Sequence, residues 1–139
     1  MTKAELYSFL ASQRLGVLSS VSAGGQPQSA LVGIAVTPDL EIVFDTVKMS
    51  RKYGNLVAQT ACSFVIGCQG ETTVQYEGIA QELSGANLVA YKQIYFAAFP
   101  DGPERQSWPG IVYFVVRPTW IRFSDYGQRP PRIEETRWP

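Results

Sequence analysis

The chemistry this sequence offers is concentrated in one segment, Phe44-Asp45-Thr46-Val47-Lys48-Met49-Ser50-Arg51-Lys52-Tyr53-Gly54-Asn55. Alternation from Leu40 to Thr46 predicts a strand, and Ser50 is placed to cap a helix running to about Gln59. Arg51 and Lys52 then fall in the first helical turn, with Lys48 just before it. Cations at that end oppose the helix dipole and cost on the order of a few tenths of a kcal/mol each. A bound anion offsets this, because free backbone N–H groups, the Ser50 hydroxyl, a guanidinium and an ammonium converge on one point. A phosphate monoester, dianionic and rich in acceptors, fits. The same residues also read as a solvated basic turn without a ligand, and the spacing alone leaves both readings open.

What the chain lacks narrows the remaining chemistry. It has no histidine, which removes Ser-His-Asp and Cys-His triads, His-ligated zinc and an imidazole base. Two cysteines, Cys62 and Cys68, are too few for a metal site built from four thiolates. On one strand they would lie about 20 Å apart, too far to pair, so both read as half-buried free thiols of a reducing compartment. Twelve Lys plus Arg balance twelve Asp plus Glu, so there is no net basic field for nucleic acid. The longest apolar run, Ala30 to Val36, is too short to span a membrane, and no secretory signal fits. These features point to a cytoplasmic protein with neither a nucleic-acid nor a membrane partner. Gly-x-Gly dinucleotide fingerprints are also missing.

The elements that must position the basic turn can be read in order. Thr2 and Glu5 have capping-box spacing, and Leu6, Phe9, Leu10 and Gln13 follow at helical period. Leu15 to Ala23, a Gly24-Gly25 turn, Gln28 to Thr37, a Pro38-Asp39 turn and Leu40 to Thr46 predict a three-stranded meander. After the short helix come strands at Ala61 to Cys68 and Thr72 to Leu83. A helix from Ala86 to Ala98 follows, with Leu88, Tyr91, Tyr95 and Phe99 as its buried stripe. Pro100 to Pro109 reads as a loop. Ile111 to Val116 is a strand ended by Pro118, and Thr119 to Asp125 is the last one. The tail from about 126 to Pro139 reads as extended. The count is about seven strands and three helices with no βαβ alternation. That predicts a mainly β single domain over 1–139, an antiparallel β-barrel with flanking helices.

The order of these features resembles the pyridoxamine 5'-phosphate oxidase-like proteins, FMN-binding split β-barrels. The likeness rests on the strand–Thr46–Ser50-Arg51-Lys52–helix segment and the Gly24-Gly25 meander. It extends to the Tyr76-Glu77-Gly78 strand, Tyr95-Phe96 four residues before Pro100, and the run from Arg117 to Tyr126. It implies FMN as cofactor, with Arg51 and Lys52 on its phosphate, assisted by Ser50 and Thr46. It implies that Ser29, Ala30, Leu31 and Val32 lay backbone along the isoalloxazine ring. Thr73, with Gln75 next on the same face, takes the place of a glutamine that reaches FMN in the family. Gln106-Ser107 could be the remnant of a Gln-Ser pair. The oxidase proper begins its ring strand with Arg, ends it with Lys, and closes on an Arg- and His-bearing substrate motif. None of these is present, so true pyridoxamine phosphate oxidase activity is not expected.

The resemblance therefore implies a flavoprotein, an FMN-dependent oxidoreductase acting on an unidentified small-molecule substrate. Alternatives on the same fold are a non-catalytic flavin-binding or stress-response module, a haem-handling protein and a deazaflavin F420 protein. No catalytic side chain or metal site stands out. Trp108, Trp120 and Trp138 could stack on a ligand but read first as core or interface. Asp45 and Glu77 could be acids or bases but read first as exposed strand-edge carboxylates. Ile111 to Val116 is apolar on both faces, so one face needs a cover from outside the barrel. The three short helices are expected to cover part of it and a second copy much of the rest, giving a homodimer, and the family likeness implies FMN in the groove between subunits.

Overall fold

The computed structural model describes residues 1–138, so the final residue of the tail, Pro139, lies outside the described residues. Helix α1 (Lys3–Ser12) starts with the capping box: Glu5 N–H donates to Thr2 Oγ1 at 3.1 Å, and Thr2 N–H to Glu5 Oε2 at 2.6 Å. It presses Leu6 and Leu10 onto the barrel. Strands β1 (Leu15–Val21) and β2 (Pro27–Gly33) form the hairpin, with Gly25 at φ 83° in its turn. The predicted return strand is split after Gly33, and only Ala35–Val36 continues as β3. Then follow β4 (Ile42–Val47), α2 (Arg51–Ala58), β5 (Ala61–Ile66), β6 (Thr72–Glu82) and α3 (Gly85–Ala98). A 3-10 turn occupies Gly102–Ser107, where the sequence predicts only loop. Strands β7 (Ile111–Asp125) and β8 (Arg132–Arg137) close the chain.

All neighbouring strands pair antiparallel in the order β2-β1-β5-β6-β7-β4-β3, and β8 adds to β7. The strands at the two ends of this order, β2 and β3, are separated only by Ile34. The sheet therefore curls until its ends are one continuous piece of chain, a split barrel with flanking helices. Side chains alternating inward fill it: Leu18, Phe44, Phe64, Tyr76 and Phe114 are fully buried. The Phe44 and Phe114 rings stack 5.4 Å apart. The Tyr76 hydroxyl donates to the Leu40 and Val116 carbonyls at 2.8 and 3.0 Å.

Pro118 does not end a strand. It sits where the β6–β7 register shifts between Glu77 and Gly78, so its missing N–H falls at a bulge. Gly78 accepts that bulge, since a Cβ there would lie 2.5 Å from the Arg117 carbonyl oxygen. Part of the tail is also not free: residues 132–137 pair with the second half of β7.

The face of Ile111–Val116 outside the barrel is covered by the chain itself. Val43, Tyr113 and Val115 form a second core with Leu83 and Tyr95, closed over by Leu88, Tyr91, Phe96 and Phe99. Helix α3 therefore supplies much of the cover on this face, where the sequence reading gives the helices only a part and a second copy most of the rest. The apolar surface left open lies elsewhere, on the outer face of β1, β2, β5 and β6. Leu15, Leu31, Val65 and Ile79 are 53, 64, 42 and 45% exposed there. The thiols also differ from the paired half-burial predicted. Cys62 is buried, which pushes its pKa up to about 12, whereas Cys68 is exposed. Among the described residues, no helix is long and apolar enough to cross a membrane.

Candidate functional site

The basic turn forms as its residue types dictate. Strand β4 ends at Val47, and Lys48 N–H donates to the Gly110 carbonyl at 2.9 Å, continuing its pairing with the neighbouring β7. Ser50 caps α2, its hydroxyl accepting from Tyr53 N–H at 3.3 Å and lying 2.9 Å from Thr46 Oγ1. Thr46, Ser50 and the first turn of α2 are thereby one rigid unit. That turn contains no acidic residue. Among the described residues, neither Arg51 nor Lys52 has a carboxylate within 4.0 Å. Two cations, unpaired among the described residues, thus stand at the positive end of a helix.

The turn is aimed at β2 by a residue the sequence reading missed. Asn55 is buried, and its Nδ2 donates to Ser20 Oγ at 3.0 Å and to Gln28 Oε1 at 2.9 Å. Ser20 and Gln28 are cross-strand partners on β1 and β2. An amide in the middle of a helix lies one turn after Arg51, and its two partners face each other across the Gly24-Gly25 hairpin. Its place one turn after Arg51 is a local signal that could have found Asn55, whereas its bonds to Ser20 and Gln28 leave none in the sequence. The result is a small cleft of about 100 Å3 lined by Leu18, Ser20, Gln28, Ser29, Ala30, Arg51 and Lys52.

The expected residues divide into groups. Arg51, Lys52, Ser29 and Ala30 meet in the cleft, and Ser50 and Thr46 brace its basic wall. Leu31 continues β2 on the outer face, while Val32 turns into the barrel and is 7% exposed. Among the described residues β2 pairs only with β1, so its other edge offers unpaired backbone groups beside Arg51 and Lys52. Thr73 and Gln75 lie on β6, separated from β2 by β1 and β5, roughly 14 Å away at normal strand spacing. Thr73 Oγ1 donates to the Ile66 carbonyl at 3.2 Å. One chain therefore does not bring these two to the cleft.

Other candidates are engaged elsewhere. Asp45 accepts from Arg105 Nε at 3.0 Å and from the Tyr95 hydroxyl at 3.1 Å, pinning the 3-10 turn and α3 to β4. Burial, reinforced by that carboxylate, pushes the Tyr95 phenol well above its ordinary range. Gln106 and Ser107 bond to the Pro103 and Glu104 carbonyls inside their own turn. Trp138 packs against the barrel core, whereas Trp108 and Trp120 lie beside Arg105 and Arg122. Glu77 is exposed on the outer face. None of them lines the cleft.

Comparison with known proteins bears on this arrangement. The family model described as pyridoxamine 5'-phosphate oxidase matches residues 2–125. The chain belongs to the pyridoxamine 5'-phosphate oxidase family. The match covers the barrel through the end of β7 and includes the basic turn and β2. No curated protein sequence matches.

Solved structures share the family's fold. A haem binding protein from Mycobacterium smegmatis superposes with a TM-score of 0.83 at 19% identity, over 99% of this chain. The chain spans only 58% of that protein's length. General Stress Protein 26 from Bacillus anthracis matches with a TM-score of 0.73 at 19% identity, covering 96% of this chain and 98% of its own. A pyridoxamine 5'-phosphate oxidase-related, FMN binding protein from Nostoc punctiforme matches with a TM-score of 0.67 at 12% identity, covering 99% and 93%. At such identities the likeness shows the fold alone. The fold thus carries proteins described by FMN, by haem and by stress.

Proposed function

We propose that this protein binds FMN and works as a flavin-dependent oxidoreductase on a small-molecule substrate other than pyridoxamine phosphate. The observation that carries the reading is the meeting of Arg51 and Lys52, unpaired among the described residues, with the exposed edge of β2 at Ser29 and Ala30. The donor set fits FMN. Two cations at a helix N-terminus suit a phosphate dianion. Backbone N–H and C=O groups on β2 suit the acceptors and donor of a flavin's pyrimidine edge. FMN would supply the redox chemistry, and the chain would anchor the phosphate, orient the ring and exclude water from one of its faces. Among the described residues, the ionisable side chains lining the cleft are Arg51 and Lys52, both assigned to the phosphate, in keeping with a protein that leaves the chemistry to its cofactor.

The assembly proposed with this site is a homodimer packed through the outer face of β1, β2, β5 and β6. Leu31, Val17, Val65 and Gln75 are successive partners across that face. A second copy covering Leu31 and Val65 would bring its own Thr73 and Gln75 toward the ring, a route one chain does not offer. Exposed apolar residues clustered in this way mark an interaction surface. Free thiols at Cys62 and Cys68 suit the cytoplasm. The haem reading draws on the fold of a neighbour, but a chain without histidine lacks the commonest haem ligand.

One absorbance scan of the protein equilibrated with FMN, haem or F420 in turn, and freed of excess ligand, tests the cofactor. Retained flavin bands are expected. Retention of a Soret band or of the deazaflavin spectrum, with FMN washed away, would overturn the FMN reading.

A further inference from the structure

We propose that the groove between α1 and α3 binds a small organic carboxylate with an apolar body. The groove has a volume of about 650 Å3, and its apolar walls include Ala11, Ile34, Val36, Ile94 and Ala97. A second concavity of about 330 Å3 shares Ser12, Gln13 and Arg14 with it and reaches Leu31 on β2. Both volumes fall in the range of small-molecule sites, about 300–1,000 Å3. Among the described residues, no aspartate or glutamate lines either one.

Arg14 stands at the junction and is the only charged residue, among those described, that lines the two. Among the described residues it has no carboxylate within 4.0 Å. Its guanidinium lies 4.9 Å from the centroid of the Phe99 ring. The ring is seated by Gly33, where a Cβ would approach it to 2.9 Å. Gly33 thus admits Phe99, and Phe99 supports Arg14. Contact with an aromatic face restrains a guanidinium without using any of its five N–H donors. In a chain of zero formal charge, joined concavities with one cation and no acid select an anion. A single planar guanidinium matches a carboxylate through two parallel hydrogen bonds. The aliphatic walls take the hydrocarbon part of the ligand.

Leu31 lines the second concavity at the edge of the face proposed to pack against a second copy, so a ligand there lies beside the strand proposed to carry the flavin. From there it could serve as the substrate of the flavin reaction, a role that rests on the FMN reading, whereas the binding itself does not.

Titration of the flavin-free protein with benzoate and with benzyl alcohol, followed by backbone amide NMR, tests the groove. Benzoate is expected to saturate, with shifts at Arg14, Ile34 and Ala97, and to bind at least tenfold more tightly than the neutral alcohol. Arg14→Gln is expected to weaken benzoate at least tenfold while FMN affinity stays unchanged. Gly33→Ala, which displaces Phe99, is expected to weaken benzoate in the same way. Equal binding of acid and alcohol, benzoate binding indifferent to Arg14→Gln, or no saturable benzoate binding would each overturn the proposal. FMN titrated into the same samples keeps the two claims apart. Failure to bind FMN with benzoate binding intact counts against the flavin alone, and the converse counts against the groove alone.

Discussion

Replacing Arg51 with alanine is expected to weaken FMN binding ten- to a hundred-fold and to leave the fold as stable as before. A hydrogen bond to a charged group contributes about 1.5–3 kcal/mol, which corresponds to roughly that range in affinity. Stability should hold because Arg51 is exposed and has no carboxylate partner among the described residues. Removing a cation from the first turn of α2 even relieves a small dipole penalty. Lys48→Ala should cost less. Its side chain lies before the cap, and its backbone N–H is already committed to Gly110. Flavin fluorescence titrations of both variants, with thermal melts as controls, measure the contrast. A larger loss for Lys48→Ala would move the phosphate out of the α2 turn.

The second large effect is expected from a residue far from the cleft. Val65→Glu places a carboxylate on the exposed apolar face, at a position 42% exposed in the single chain. Within one barrel this costs little. In a dimer packed on that face, each copy buries an unpaired charge at about 3–5 kcal/mol, which is a hundred-fold or more in association. Sedimentation should show wild-type dimers and Val65→Glu monomers. Val65 lies on β5, with β1 between it and β2, and it does not line its own chain's cleft. FMN affinity should nevertheless fall at least tenfold with the dimer, because a shared site links the two equilibria. A wild-type monomer that binds FMN tightly, or a Val65→Glu dimer, would contradict the shared site.

The sequence disclosed what short-range chemistry decides. The Thr2–Glu5 box, the Gly24-Gly25 hairpin and the Ser50 cap each depend on residues within five positions of one another, and each stands where predicted. The hydrophobic alternation of Leu40, Ile42 and Phe44 marked the barrel interior for the same reason. Long-range packing decided the rest. Pro118 reads as a strand end until Gly78, forty residues earlier, is found opposite it with room for a bulge. The split after Gly33 falls where Phe99, sixty-six residues later, packs against that glycine. The cover over Tyr113 and Val115 comes from α3, and periodicity shows only that a cover is needed, not who supplies it. The candidate site follows the same division. Arg51 and Lys52 were legible from their position after a cap. The Asn55 bridge to Ser20 and Gln28 was not, because hydrogen bonding across 27 and 35 residues leaves no local pattern.

The most direct measurement compares FMN with riboflavin on the wild-type protein. The two ligands carry the same ring and differ only in the phosphate. With the phosphate held by Arg51, Lys52 and the start of α2, FMN should bind far more tightly, by a factor of about a hundred or more for two charge-assisted contacts. The preference should shrink as salt rises, since Arg51 is exposed and Lys52 only half-buried, and both are open to screening. Equal affinity for FMN and riboflavin would contradict the site.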